Sequence, residues 1–237
     1  NRNDGVKLKI KTSTALAIGA VIGGLVGLSD GNISFTNCTN NGALTYSDTT
    51  GKTSTRFSGI AAYCVGVGAE IVFDNCTNTG NISKTAESIS RGVQVGGVVG
   101  MINGQNDGST NDTRKEVTFT NNTINKGAIS IGGATTSAVA SAGGIAGRIV
   151  YYANVYFNGP VTNYGTISHT GTYNGGNCYF GGIIGYLFTG VTTQINNHIT
   201  NAESATLYSS ATDQNIGGKY IRSLSGIAGA LLETNSM

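Results

Sequence analysis

Short apolar bursts punctuate this chain with a period of two: Ile33-x-Phe35, Ile71-x-Phe73, Val117-x-Phe119 and Val155-x-Phe157. That alternation is what a half-buried strand requires. Each burst leads into an asparagine-rich corner and then a second apolar step, Gly42-x-Leu44, Gly80-x-Ile82, Gly127-x-Ile129 and Gly165-x-Ile167. A third apolar element precedes each burst. It is a pentapeptide, glycine-glycine-aliphatic-small-glycine, seen in full at Gly23, Gly96, Gly143 and Gly181. Looser copies start at Ser58 and Ser225. Each repeat thus offers three short strands: the pentapeptide, the Val/Ile-x-Phe segment and the Gly-x-Ile segment.

The repeats keep register. The second glycines of the pentapeptides, at 24, 59, 97, 144, 182 and 226, are 35, 38, 47, 38 and 44 residues apart. The aromatic column Phe35, Phe73, Phe119, Phe157 and then Ile195 steps by 38, 46, 38 and 38. The asparagine column Asn40, Asn78, Asn125, Asn163 and Asn201 steps by 38, 47, 38 and 38. Independent columns in step identify structurally equivalent positions, and a period of about 40 residues indicates a solenoid or an array. One such repeat cannot bury its apolar side alone, whereas stacking places Phe on Phe and Ile on Ile. The chain therefore reads as one all-β domain over 1–237: a parallel β-solenoid, or β-helix, of five to six coils, with three strands each and long variable loops. Coils about 4.8 Å apart make a rod of roughly 25–30 Å. Right-handed coiling is expected from the preference of parallel crossovers. A propeller is the rival at this period, but its blades want four strands.

Length differences fall between the Gly-x-Ile step and the next pentapeptide, and in the insertion over 101–116. Such insertions form surface loops, often on the binding face. Neither end shows a polar or helical cap, which predicts a piece of a longer chain, ends covered by a partner, or self-association through open solenoid ends.

Composition narrows the class. Glycine at 37 residues, a single proline and no tryptophan, with many Ser, Thr and Asn, argue against helices. The stretch over 15–28 is apolar but too short to span a bilayer as a helix, and it ends in the recurring pentapeptide, so it reads as a strand. A formal net charge of +2, with 11% charged residues, carries no nucleic-acid footprint.

The asparagine column reads as structural, since Asn tolerates a left-handed corner and bonds along a stack. Cys38 and Cys76 fall one coil apart, which permits a disulfide, but adjacent in-register positions suit its dihedral poorly. Free buried thiols are the preferred reading. No Cys-x-x-Cys or His-bearing metal spacing exists, and no nucleophile elbow accompanies His169 or His198. Catalytic residues and cofactors are accordingly expected to be none. Glu70 and Asp74 read as isolated from other acids, whereas glycoside cleavage needs two carboxyls about 5–10 Å apart. The insertion offers Asp107 and Asp112 as a candidate calcium loop, without the spacing of an EF-hand. Tyrosines in the loops, Tyr151, Tyr152, Tyr173 and Tyr179 among them, suit contact with a glycan or protein, because a flat ring stacks while its hydroxyl stays wet.

Gly-Gly-Ile-Ala-Gly followed by Asn-Cys-Thr-Asn-x-Gly-x-Ile resembles the GLUG-motif repeats of large bacterial surface proteins of the Bacteroidetes type. The resemblance covers nearly the whole chain. It implies an extracellular or outer-membrane-attached, adhesin-like protein and supplies no catalytic residues. The expected function is a non-enzymatic structural and adhesive module binding a glycan or a surface or host protein. A polysaccharide-degrading β-helix enzyme and an ice-binding solenoid with a flat Thr face are the alternatives.

Overall fold

The computed structural model describes residues 2–3, 8–12, 20–48, 54–66, 68–86, 88–89, 92–104, 114–135, 139–173, 176–188, 190–209, 212–213 and 222–229. Among them there is no helix, and every strand pairing is parallel. The chain is a β-solenoid. Successive coils contribute strands to the same sheets, so each sheet runs along the stack.

The Val/Ile-x-Phe segments Ile33–Thr36, Glu70–Asp74, Lys115–Thr120, Ala153–Phe157 and Thr192–Ile195 form the Phe sheet. The short Thr39–Asn40, Thr77–Asn78, Thr123–Asn125, Val161–Asn163 and Ile199–Asn201 form the Asn sheet. Leu44–Asp48, Ile82–Ala86, Ile129–Gly132, Ile167–Thr170 and Leu207–Ser209 form the Ile sheet. The registers are those of the sequence columns: Phe73 pairs with Phe35 and Phe119, Asn125 with Asn78 and Asn163, and Ile129 with Ile82 and Ile167.

The pentapeptide is not a strand. In the third copy, strand Val93–Gly96 ends at its first glycine, Gly97 and Val98 make a bend, and strand Val99–Asn103 begins at its fourth residue. Each copy thereby joins two sheets. One, the entry arm, contains Ala20–Gly23, Thr55–Ser58, Val93–Gly96, Val139–Gly143, Asn177–Gly181 and Arg222–Ser225. The other, the exit arm, contains Val26–Asp30, Ala61–Val65, Val99–Asn103, Ala146–Val150 and Ile184–Leu187. A sixth, narrow sheet of two-residue strands such as Ala134–Thr135 and Thr172–Tyr173 lies in the segments between repeats. Coils therefore carry more strands than three. The apolar stretch over 15–28, expected as one strand, contains such a bend, and its residues before Ala20 lie outside the described ones. Sequence reasoning missed the second arm because glycine and alanine in the motif hide the change of direction.

The arms divide the interior into two cores. Between the exit arm and the Phe sheet, Phe35, Phe73, Phe119 and Phe157 stack with centroids 5.0–5.2 Å apart, packed against Ile60, Val98, Ile145 and Ile183. Between the entry arm and the Ile sheet lie Phe57, Val95, Ala142 and Phe180 with Leu44, Ile82, Ile129 and Ile167. The apex of each bend reaches across to the Asn sheet. A Cβ added to Gly144 would sit 2.2 Å from Asn163 Cγ and 2.2 Å from the carbonyl oxygen of Gly182, so this position admits only glycine. The same contact recurs between Gly59 and Asn78, Gly97 and Asn125, and Gly182 and Asn201, tying each bend to the asparagine of its own coil.

The asparagines split into two roles. In the buried column each Nδ2 donates to the next Oδ1, Asn40 to Asn78 at 2.7 Å, then Asn78 to Asn125, Asn125 to Asn163 and Asn163 to Asn201 at 2.8 Å. The same Nδ2 also donates to the glycine carbonyl two residues on, in Asn40, Asn78, Asn125 and Asn163. The left-handed corner belongs to other asparagines: Asn37, Asn75 and Asn121 have φ of 52°, 51° and 48°. All four cysteines are buried, and none is in a disulfide. Cys76 Sγ donates to the Phe35 carbonyl at 3.2 Å, and burial pushes its thiol up to about 12.

The second core also holds Lys84, 1% exposed, beside Tyr46, with its Nζ 6.0 Å from the ring centroid. Burial pulls its pKa down to about 8, against an opposing attraction to Asp48. A lysine with a lowered folded pKa burdens the fold while charged in both states, below about pH 8. Between there and about 10.5 the unfolded chain binds the extra proton, so stability rises with pH. We expect wild type to gain about 2–3 kcal/mol over Lys84→Met across that window. Parallel denaturant titrations at pH 7.5 and 10.5 measure it. The comparison cancels the opposing titration of the cysteines and tyrosines common to both proteins.

Candidate functional site

The entry and exit arms face each other on the side away from the two cores. Alternation places Phe57, Val95, Ala142 and Phe180 of the entry arm in a core, and leaves Arg56, Gln94, Ser141 and Tyr179 facing the exit arm. The matching exit-arm column is Tyr63, Met101, Arg148 and Tyr186. Across this seam Arg56 lies over the Tyr63 ring at 5.0 Å, and Tyr179 stacks on Tyr186 with centroids 4.5 Å apart and planes 9° apart. Arg148 lies 4.9 Å over Tyr186 and 5.6 Å from Phe188, which meets Tyr151 edge-on at 5.1 Å. Cation–π contacts of this kind contribute about 0.5–2 kcal/mol each. The Phe and buried Asn columns repeat one residue type over successive coils, whereas this one changes at each coil.

Its electrostatics are one-sided. Among the described residues neither Arg56 nor Arg148 has an ion pair with a carboxylate, and the ε nitrogen of each is buried without a hydrogen-bond partner. Burial holds the Arg148 guanidinium below the usual arginine range; the charge of Arg56 adds to that, while the nearby tyrosines oppose it. Gln94 Oε1 and Ser141 Oγ, in the same seam, are likewise buried and unpartnered.

The rim carries backbone strain. Tyr151 and Tyr152 have φ of 51° and 44°. One coil on, the residue in register with Tyr152 is Gly190, with φ of 77°. A bulky side chain in this region costs of order 1–3 kcal/mol, and such strain gathers at functional sites. Both rings are exposed, 41% and 37%, so core packing does not require them there.

Of the tyrosines singled out from sequence, Tyr151 and Tyr152 sit together at this turn. Tyr179 is not a loop residue. It lies within strand Asn177–Gly181 and is buried by Tyr186, since the alternation Cys178-Tyr179-Phe180 belongs to an arm. Tyr173 belongs to the narrow sixth sheet. Asp107 and Asp112 lie outside the described residues. Among the described residues no group of three His, Cys, Asp or Glu could hold a metal. Glu70 is not isolated: it pairs in register with Glu116 on the neighbouring coil, on the outward side of the Phe sheet, and Asn154 Nδ2 donates to Glu116 at 2.8 Å. The insertion over 101–116 had hidden that alignment. The arginines escaped sequence reasoning because each occurs in a single repeat, with nothing to mark it as facing the other.

No family model, curated protein or solved structure matches the chain.

Proposed function

We propose that this chain is a non-enzymatic structural and adhesive module of an extracellular or cell-surface protein, of the kind the GLUG-like repeats suggest. It holds a partner at the seam between its arms. The observation that carries this reading is the pair of exposed tyrosines at 151 and 152, kept in a left-handed turn where the next coil has glycine at the second position. Tyr151 adjoins the Phe188–Arg148–Tyr186 cluster. Rigid aromatic rings at a rim provide contact area at low entropic cost. The repeated columns, by contrast, are consumed in stacking.

The test is a screen of immobilised glycans and extracellular-matrix proteins with the intact chain and with Tyr151→Gly/Tyr152→Gly. The double variant should fold with equal or greater stability and lose at least tenfold in retention of whichever partner binds. Retention unaffected by the double change, or a silent screen, contradicts the reading. The glycan-cleaving alternative draws on the Glu70–Glu116 register pair. Release of reducing ends that Glu116→Gln abolishes would favour it.

A further inference from the structure

We infer that the inter-arm seam is a recognition site for a carboxylate-bearing saccharide, a uronic-acid-containing glycan, whose acid group is held between Arg56 and Arg148. The inference rests on the adhesive reading and names the ligand class at the same seam.

Four polar groups in this seam are buried without hydrogen-bond partners: Arg56 Nε, Arg148 Nε, Gln94 Oε1 and Ser141 Oγ. They sit on three successive coils, because Arg56 pairs with Gln94, Gln94 with Ser141, and Arg148 shares a coil with Ser141. Gln94 and Ser141 are 2% and 0% exposed. Buried polar groups are ordinarily paired, and leaving one unpaired is costly, more so for a charge. Two guanidiniums on opposite arms of one seam, with no carboxylate partner among the described residues, call for an anion from outside. Both arginines are only partly buried, so a ligand at the mouth can reach them.

The mixture of groups selects the class. A guanidinium is a planar fork of donors matched to a carboxylate. Tyr151 and Tyr152 are exposed at the rim, and Tyr151 meets Phe188 beside Arg148, so a sugar ring can stack there while its acid group reaches the guanidinium. A hydroxylated ring carrying a carboxylate meets all of these demands. An acidic peptide meets only the charge.

The experiment uses calorimetric titration of the whole chain with tri-galacturonate, its methyl ester, neutral galactotriose and a tri-glutamate peptide. Tri-galacturonate should bind and raise the melting temperature, with at least tenfold weaker binding of the ester, the neutral sugar and the peptide. Arg56→Gln and Arg148→Gln should each lose tenfold or more, while Lys126→Gln, which removes an exposed lysine next to the Asn sheet, should stay within twofold. The melting shift with acid but not ester needs no variant, so it decides the matter even if an arginine variant misfolds. Equal binding of acid and ester, equal loss in Lys126→Gln, or tri-glutamate binding as tightly as the sugar overturns the inference. Absence of binding to all four probes overturns it too. A partner that is neutral, and that requires Tyr151 and Tyr152 but neither arginine, would overturn the acidic-sugar assignment and leave the adhesive reading standing.

Discussion

Gly144→Ala is expected to cost about 3 kcal/mol or more, enough to remove much of the stability of an ordinary domain. The added methyl would lie 2.2 Å from the Gly182 carbonyl oxygen of the next coil and 2.2 Å from Asn163 Cγ. The first neighbour is backbone and the second is fixed by its own hydrogen bonds, so neither can swing aside. The last copy of the pentapeptide is the internal control. Gly226 occupies the same motif position, yet an added Cβ meets nothing within 4 Å among the described residues. Gly226→Ala should therefore change stability by no more than about 0.5 kcal/mol, or stabilise slightly by restricting the unfolded chain. Denaturant midpoints of the two variants measured side by side check the contrast. Equal effects would show that the glycines serve turn formation alone and not the approach of the bend to the Asn sheet.

The second large effect is expected at Asn125. Its amide accepts from Asn78 and donates to both Asn163 Oδ1 and the Gly127 carbonyl. Asn125→Ala leaves the Asn78 donor and the Gly127 acceptor without this partner in a buried site, for about 3 kcal/mol or more in total. Asn125→Asp keeps the shape and separates packing from hydrogen bonding. Its two oxygens can accept from Asn78 but face the oxygens of Asn163 and Gly127, where the native amide donated. At pH 7 the aspartate variant should be at least as unstable as the alanine variant. Burial raises the folded pKa of such a carboxyl, so the folded state binds the proton more tightly. Stability should then return as pH falls from 7 toward 4. An aspartate variant with wild-type stability at pH 7 would refute the directional ladder.

Most of the architecture was legible because a solenoid writes its contacts into the sequence. Phe35, Phe73, Phe119 and Phe157 align by counting, and stacked rings follow from that alignment. The asparagine column was legible for the same reason, although its chemistry divided between a hydrogen-bonded ladder and separate left-handed corners. The two arms were hidden. Glycine and alanine have no side chain long enough to show which way a strand faces, so Gly96 to Gly100 reads as one strand although it folds back at Gly97 and Val98. The candidate site was only partly visible. Tyr151 and Tyr152 stand out as adjacent aromatics, but Arg56 and Arg148 lie 92 positions apart by their numbering and share a seam only through the stack, two coil steps apart on opposite arms. Residues that break a repeat carry no periodic signal, and specificity on a repeating frame resides in such residues.

The account stands on the claim that a repeated frame holds one non-repeating seam, where two guanidiniums without a carboxylate partner among the described residues take up an anion. A crystal structure of the chain grown with tri-galacturonate tests it most directly. The expected result is a sugar carboxylate within hydrogen-bonding distance of both Arg56 and Arg148, with a sugar ring against Tyr151. A saccharide ordered elsewhere on the rod, or carboxylates of the chain itself paired with both arginines, would contradict it.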